Sequence, residues 1–230
     1  MRGGRPVLAF LGVMLLAAGC ASGAPPWVKG ATARFTQQIT LPAPTTTGSM
    51  PLDQAIAERR SRRSFADRPL ALSTIAQLLW AGQGITGPGG KRAAPSAGAL
   101  YPLQLYVMTA GQFMHYLPAG HRLELRNQPD LRPQLQAAAF AQTAVGAAPD
   151  IVILAANPAK TRVKYGGDAE RFTYLEAGHA AENILLEATS RDLAAVSVGS
   201  FDPARVASLL ALPPAETVLY LIPVGPAPGS

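Results

Sequence analysis

An α+β fold with a mixed, mainly antiparallel sheet is predicted by three features of the sequence. Strand-like and helix-like runs are interspersed along the chain. Met114–Leu117 and Arg122–Leu125 flank Pro118-Ala119-Gly120 and read as a hairpin. Phe172–Ser190 is a long helical segment with no Gly or Pro after Gly178.

Each element has its own signal. Ser49 or Asp53 is placed to cap a helix running through Arg60. A second helix starts at Ser73, with Ile75, Leu78 and Leu79 on one face and Gly82 and Gly84 at its end. Thr86–Gly98 is rich in Gly and Pro and reads as a loop. Leu103, Leu105 and Val107 alternate, so Leu103–Thr109 reads as a strand. Asp130–Gln142 reads as a helix. Ile151–Ala155 is continuously apolar, the pattern of a buried strand. Ala194–Val198 reads as a strand, Pro203–Leu210 as a helix with proline in its first turn, and Val218–Val224 as the last strand. After the long helix, Arg191-Asp192-Leu193 stands where a glycine turn would be usual, and Asp tolerates a left-handed turn.

Composition narrows the class. The 230 residues are 48% apolar, enough to support a core, so disorder throughout is excluded. A single cysteine excludes a disulfide scaffold, a four-thiolate zinc site and an iron–sulfur cluster. The net charge of +6 suits an anionic ligand without naming one.

The N-terminus reads as an address. Arg2 and Arg5 precede the apolar run Val7–Ala18, too short to span a bilayer and fitting a signal-peptide core. Leu15-Leu16-Ala17-Ala18-Gly19-Cys20 resembles a bacterial lipobox. The resemblance implies cleavage before Cys20, its acylation and anchoring to the envelope membrane through lipid. A plain secretory signal is the alternative. On this reading 1–19 is a signal peptide, 20–49 a Pro- and Thr-rich tether, 50–226 the folded domain and 227–230 a tail.

Five arginines fall within Arg59–Arg68. Guanidinium forks bind phosphate through charge-assisted hydrogen bonds, and Ser61 adds a hydroxyl. No second basic stripe or aromatic platform accompanies them, so no nucleic-acid partner is expected. Glu176, His179 and Glu182 recur at spacings of three, but one helix supplies no second ligand set, and no metal is expected. His179 is instead expected to pack or cap. His115 and His121 have no nucleophile arrangement around them.

Six strings in order carry a family resemblance: Arg59-Arg60-Ser61-x-Arg63-x-Phe65; Leu78-Leu79-Trp80-Ala81-x-x-Gly84-Ile85-Thr86; Pro95-Ser96-Ala97-Gly98-Ala99-Leu100-Tyr101-Pro102; Lys164-Tyr165-Gly166; Leu175-Glu176-Ala177-Gly178-His179-Ala180-Ala181-x-Asn183; and Val198-Gly199-x-Phe201-Asp202. Together they resemble the SagB-type dehydrogenases of the nitroreductase superfamily, from about Pro51 to Gly225. The resemblance implies a nitroreductase-like fold, an intertwined homodimer and FMN at the subunit interface. It places Arg59, Arg60, Ser61 and Arg63 in the flavin-binding segment, Arg63 at the pyrimidine edge. It brings Pro95, Ser96, Ala97 and Gly98 to the ring from the partner subunit. It sets backbone N–H groups of Glu176, Ala177 and Gly178, at the start of the long helix, against the electron-rich edge of the ring. Lys164 and Tyr165 match a pair that azole-forming relatives use as base and proton-positioning group; a basic and an aromatic residue closing a loop is the plain alternative. No cation follows Gly225-Pro226, where many relatives carry one.

The implied reaction is a two-electron oxidation of a small molecule or peptide, as in azoline-to-azole dehydrogenation, with hydride passing to the flavin. An exported chain meets little NAD(P)H, which favours oxygen or a quinone as acceptor. Two alternatives stand beside it: an NAD(P)H-dependent nitro- or quinone reductase, and a non-catalytic envelope protein on the same fold.

Overall fold

The computed structural model describes Met1 and residues 34–229. The signal-peptide and Cys20 readings lie outside the described residues. Nine strands and seven α-helices are present among them. In chain order they are β1 (Gln37–Thr40), α1 (Leu52–Glu58), α2 (Leu72–Gln83), β2 (Ile85–Gly87), β3 (Lys91–Arg92), β4 (Leu103–Met108), β5 (Gln112–Leu117) and β6 (Arg122–Asn127). There follow α3 (Arg132–Ala138), α4 (Thr143–Ala147), β7 (Asp150–Ala156), α5 (Pro158–Tyr165), α6 (Ala169–Ser190), β8 (Leu193–Ala195), α7 (Pro203–Leu209) and β9 (Thr217–Pro226).

Seven strands form one sheet in the order β1-β6-β5-β4-β7-β9-β8, and each neighbouring pair in it is antiparallel. β2 and β3 form a separate small hairpin inside the stretch read as loop. Successive strand residues face opposite sides. Along β7, Val152 and Leu154 therefore join the core under α2 and α6, while Ile151 and Ile153 join the core under α3, α4 and α7. The continuous apolar run of β7 follows from this burial on both faces.

Helix α2 sits tight on α6. A side chain at Gly82 would come within 2.9 Å of both Ile184 and Leu105, so glycine permits the approach. Leu78 and Leu79 are fully buried there, each contributing roughly 1.5–3 kcal/mol. The turn after α6 is left-handed at Asp192, φ 51°, as its sequence allows. Asp202 caps α7 by accepting from the Arg205 amide at 2.9 Å.

Four local readings are corrected. Neither Ser49 nor Asp53 caps α1, which begins after Pro51 with no side-chain cap. The helix read over 130–142 runs only from Arg132 to Ala138, because Phe140 and Ala141 both turn left-handed and Gln142 donates to the carbonyls of Ala139 (3.1 Å) and Ser200 (2.6 Å); the separate helix α4 begins after it. The tether ends before residue 50: β1 pairs with β6, and the Gln77 amide exchanges two 2.9 Å hydrogen bonds with the Thr45 backbone. β1 is mostly exposed and polar, which hides an edge strand from its hydropathy pattern. Finally, Pro158–Tyr165 is a helix, with Asn157 capping it by accepting from the Ala159 amide.

Candidate active site

Helix α6 is the beam on which the candidate residues hang. It begins at Ala169, so Glu176, Ala177 and Gly178 lie inside it rather than at its start. Their amides therefore fall within the helix ladder, which corrects the expectation that they stand at its start. α5 and a short turn at Gly166–Asp168 lead straight into α6, extending it N-terminally past Phe172.

One group of candidates gathers at the N-terminal half of α6. Ser96 precedes a tight turn in which Gly98 (φ 62°), Ala99 (φ 55°) and Tyr101 (φ 48°) are all left-handed. The Tyr101 amide donates to Ser96 Oγ at 2.9 Å and ties the turn together. A Cβ at Gly98 would lie 3.0 Å from the Tyr165 hydroxyl and 3.1 Å from Lys164 Nζ. Glycine is required there by its φ and by this approach. Lys164 and Tyr165 occupy the last turn of α5, not a loop end. Tyr165 packs edge-on against Phe172, ring centroids 4.8 Å apart, while Lys164 is exposed. Pro95 is exposed, and Ala97 is half-buried.

Behind this turn lies Glu176, only 3% exposed. Burial pushes its carboxyl up to about 7, against the favourable influence of Ser96, Arg92, Gln83 and Lys160. Its Oε1 and the Gln83 Nε2 are both buried without a hydrogen-bond partner. Arg92 does not pair with it. The guanidinium donates instead to Gln83 Oε1 at 2.6 Å and lies 4.3 Å from the Tyr101 ring centre.

The second group lies toward the C-terminal half. Arg59 Nε pairs with Glu182 at 3.1 Å. Glu182 is six residues beyond Glu176, about 9 Å further along the helix and roughly 120° around it. Arg60, Ser61 and Arg63 are exposed; Arg63 reaches only the Ser61 carbonyl, at 3.5 Å. Arg62 is engaged structurally, through its amide to the Ala195 carbonyl and its side chain to Asp192, both at 3.0 Å. His179 is exposed, which corrects the expectation that it packs.

The two groups do not touch within one chain. Between the ends of α6 and β9 lies a cleft of about 350 Å³ walled by Tyr174, Ala177, Gly199, Phe201 and Tyr220 among others. Gly199 follows Ala195, the partner of Arg62, by four residues, at most about 14 Å of chain. Nothing stands within 4 Å of where a Cβ at Gly178 would be. The exposed cations and hydroxyl of the arginine segment suit an anionic group, and the small-residue, aromatic-walled cleft suits a flat one; a ligand that uses both is elongated, with an anionic end and a flat end. FMN is such a ligand. The cleft was missed as a site at sequence level. The Val198-Gly199-x-Phe201 string was its one signal.

Comparison with known proteins gives the family of this scaffold. The sequence profile of the nitroreductase family matches residues 56–226, and the chain belongs to that family. A protein of Methanocaldococcus jannaschii that carries the name nitroreductase is 35% identical over 181 residues, covering 76% of this chain and 90% of that one. A Ralstonia eutropha crystal structure under the same name superposes with a TM-score of 0.76 at 33% identity, covering 88% of this chain and 98% of that one. A third, from Desulfovibrio desulfuricans, was solved in complex with FMN; it superposes at 0.57 with 26% identity, covering 78% and 88% of the two chains.

Proposed function

We propose that this chain is an FMN-dependent oxidoreductase of the SagB-type branch, which dehydrogenates a small-molecule or peptide substrate as a homodimer. The convergence of Lys164 Nζ and the Tyr165 hydroxyl on Gly98 carries this reading. Arg59, Arg60, Ser61 and Arg63 would hold the phosphate and polar edge of FMN, and the Gly199 cleft its flat end. When bound, FMN supplies a two-electron acceptor. Lys164 Nζ takes a proton from the substrate carbon beside a carbonyl. Tyr165, fixed by Phe172, orients that carbon and the departing proton through its hydroxyl. Exposure of Lys164 in the single chain fits a site completed by the second subunit.

A reductase that consumes NAD(P)H is the second reading, favoured by the nitroreductase name of the most similar relatives reported above. Location separates the two. Anchoring through Cys20 would place the chain in the envelope, with little NAD(P)H. Among the described residues no helix is long and apolar enough to cross a membrane. The test offers flavin-loaded protein an azoline peptide under oxygen and, separately, NADPH with a nitroarene. Peptide oxidation that is lost in Lys164→Ala supports the dehydrogenase. NADPH turnover without peptide oxidation supports the reductase.

A further inference from the structure

Glu176 lies buried at the back of the turn that meets Lys164 and Tyr165, and no ion pair among the described residues engages its carboxyl. The nearest cations are Arg92 on β3 and Lys160 on α5; Gln83 on α2 and Ser96 face it as neutral groups. Arg92 is already occupied by Gln83 and by the Tyr101 ring. Tyr101 holds a left-handed backbone conformation that its side chain disfavours, and its amide is tied to Ser96. The arrangement is therefore consistent with a neutral Glu176 and a clamped turn.

We propose that Glu176 is a positioning residue that governs, through Arg92 and Ser96, where the turn from Pro95 to Tyr101 stands against Lys164 and Tyr165. With a proton on Glu176, Arg92 stays on Gln83 and Tyr101 and the turn is held. Without it, a buried anion with an unpartnered Oε1 draws the Arg92 guanidinium and the Gln83 amide toward itself. Tyr101 then loses its cation, and the strained turn loosens away from the Lys164–Tyr165 end. The carboxyl that burial holds near 7 puts this change close to neutral pH. The functional meaning rests on the dehydrogenase reading; the movement itself does not.

Hydrogen exchange of the Tyr101 amide tests it in the full chain without flavin. After correction for intrinsic exchange, wild-type protection falls about tenfold between about pH 6 and about pH 8. Glu176→Gln shows constant protection, and Glu176→Asp regains the pH dependence. Constant wild-type protection overturns the proposal, as does an unchanged fall in Glu176→Gln. Should Glu176→Gln not fold, the Asp150→Asn protein decides. A protonated-carboxyl infrared band lost over the same pH range as the protection supports the proposal, and its absence overturns it. A pH-responsive turn in a chain that never binds flavin would leave this inference standing and remove the dehydrogenase reading.

Discussion

The two halves of α6 solve opposite problems. At its C-terminal half, Arg59 is met by the half-exposed Glu182 while Arg60 and Arg63 stand in solvent, so charge is displayed at little desolvation cost. At its N-terminal half, Glu176 is buried with an unpartnered oxygen beside a strained turn. On the proposed reading the arginine side attracts an anion, and the Glu176 side holds a proton and a geometry. A binding surface can be assembled from exposed groups one by one, whereas a reacting end needs buried groups that depend on each other.

Substitutions in the two halves should separate binding from chemistry. The largest effect belongs to Lys164→Ala, which should slow substrate oxidation roughly 10²–10⁴-fold while retaining flavin. Stopped-flow reduction of the bound flavin checks this, and a loss of flavin instead would merge the two halves into one. Next comes the arginine segment. Arg59→Ala or Arg63→Ala should weaken FMN binding roughly 10–100-fold, the value of one charge-assisted contact, as read by fluorescence titration.

A smaller effect sharpens the buried side. Glu176 keeps its proton in the fold up to about 7, whereas the unfolded chain releases it in the ordinary carboxyl range. The folded state thus binds more protons in that window, and this residue's contribution to stability declines as pH rises through it. Relative to wild type, Glu176→Gln should gain on the order of 1–3 kcal/mol between about pH 4 and about pH 8, read from urea midpoints. Asp150, pushed up to about 6 by burial, acts in the same direction although its Oδ2 accepts from Leu70 at 2.8 Å. The smallest effect is on the exposed side: Arg62→Ala, which breaks the Asp192 pair, should change stability by less than about 1 kcal/mol.

What was legible in the sequence follows the same division. The inner sheet strands and α2, α6 and α7 could be read because apolar pattern and, for α7, the Asp202 cap decide them locally. The arginine segment could be read because exposed charge needs no partner to be noticed. The edge strand β1 could not, since its partner β6 is far away in the sequence, with Gln38 opposite Glu124, and its own pattern is polar. Nor could the break at Phe140, which long-range bonds such as Gln142 to Ser200 impose. The surroundings of the Glu176 side chain were hidden for a related reason. Its family string marks the residue, but only the fold brings Gln83 of α2, Arg92 of β3 and Ser96 around its side chain.

The central claim is that the two halves of α6 serve one flavin. The most direct measurement is the absorbance spectrum of the full chain after incubation with FMN and desalting, for wild type, Arg59→Ala/Arg63→Ala and Lys164→Ala. The account predicts bound flavin near one per chain in wild type and Lys164→Ala, and none retained in the double arginine variant. A folded wild-type chain that retains no flavin would contradict it.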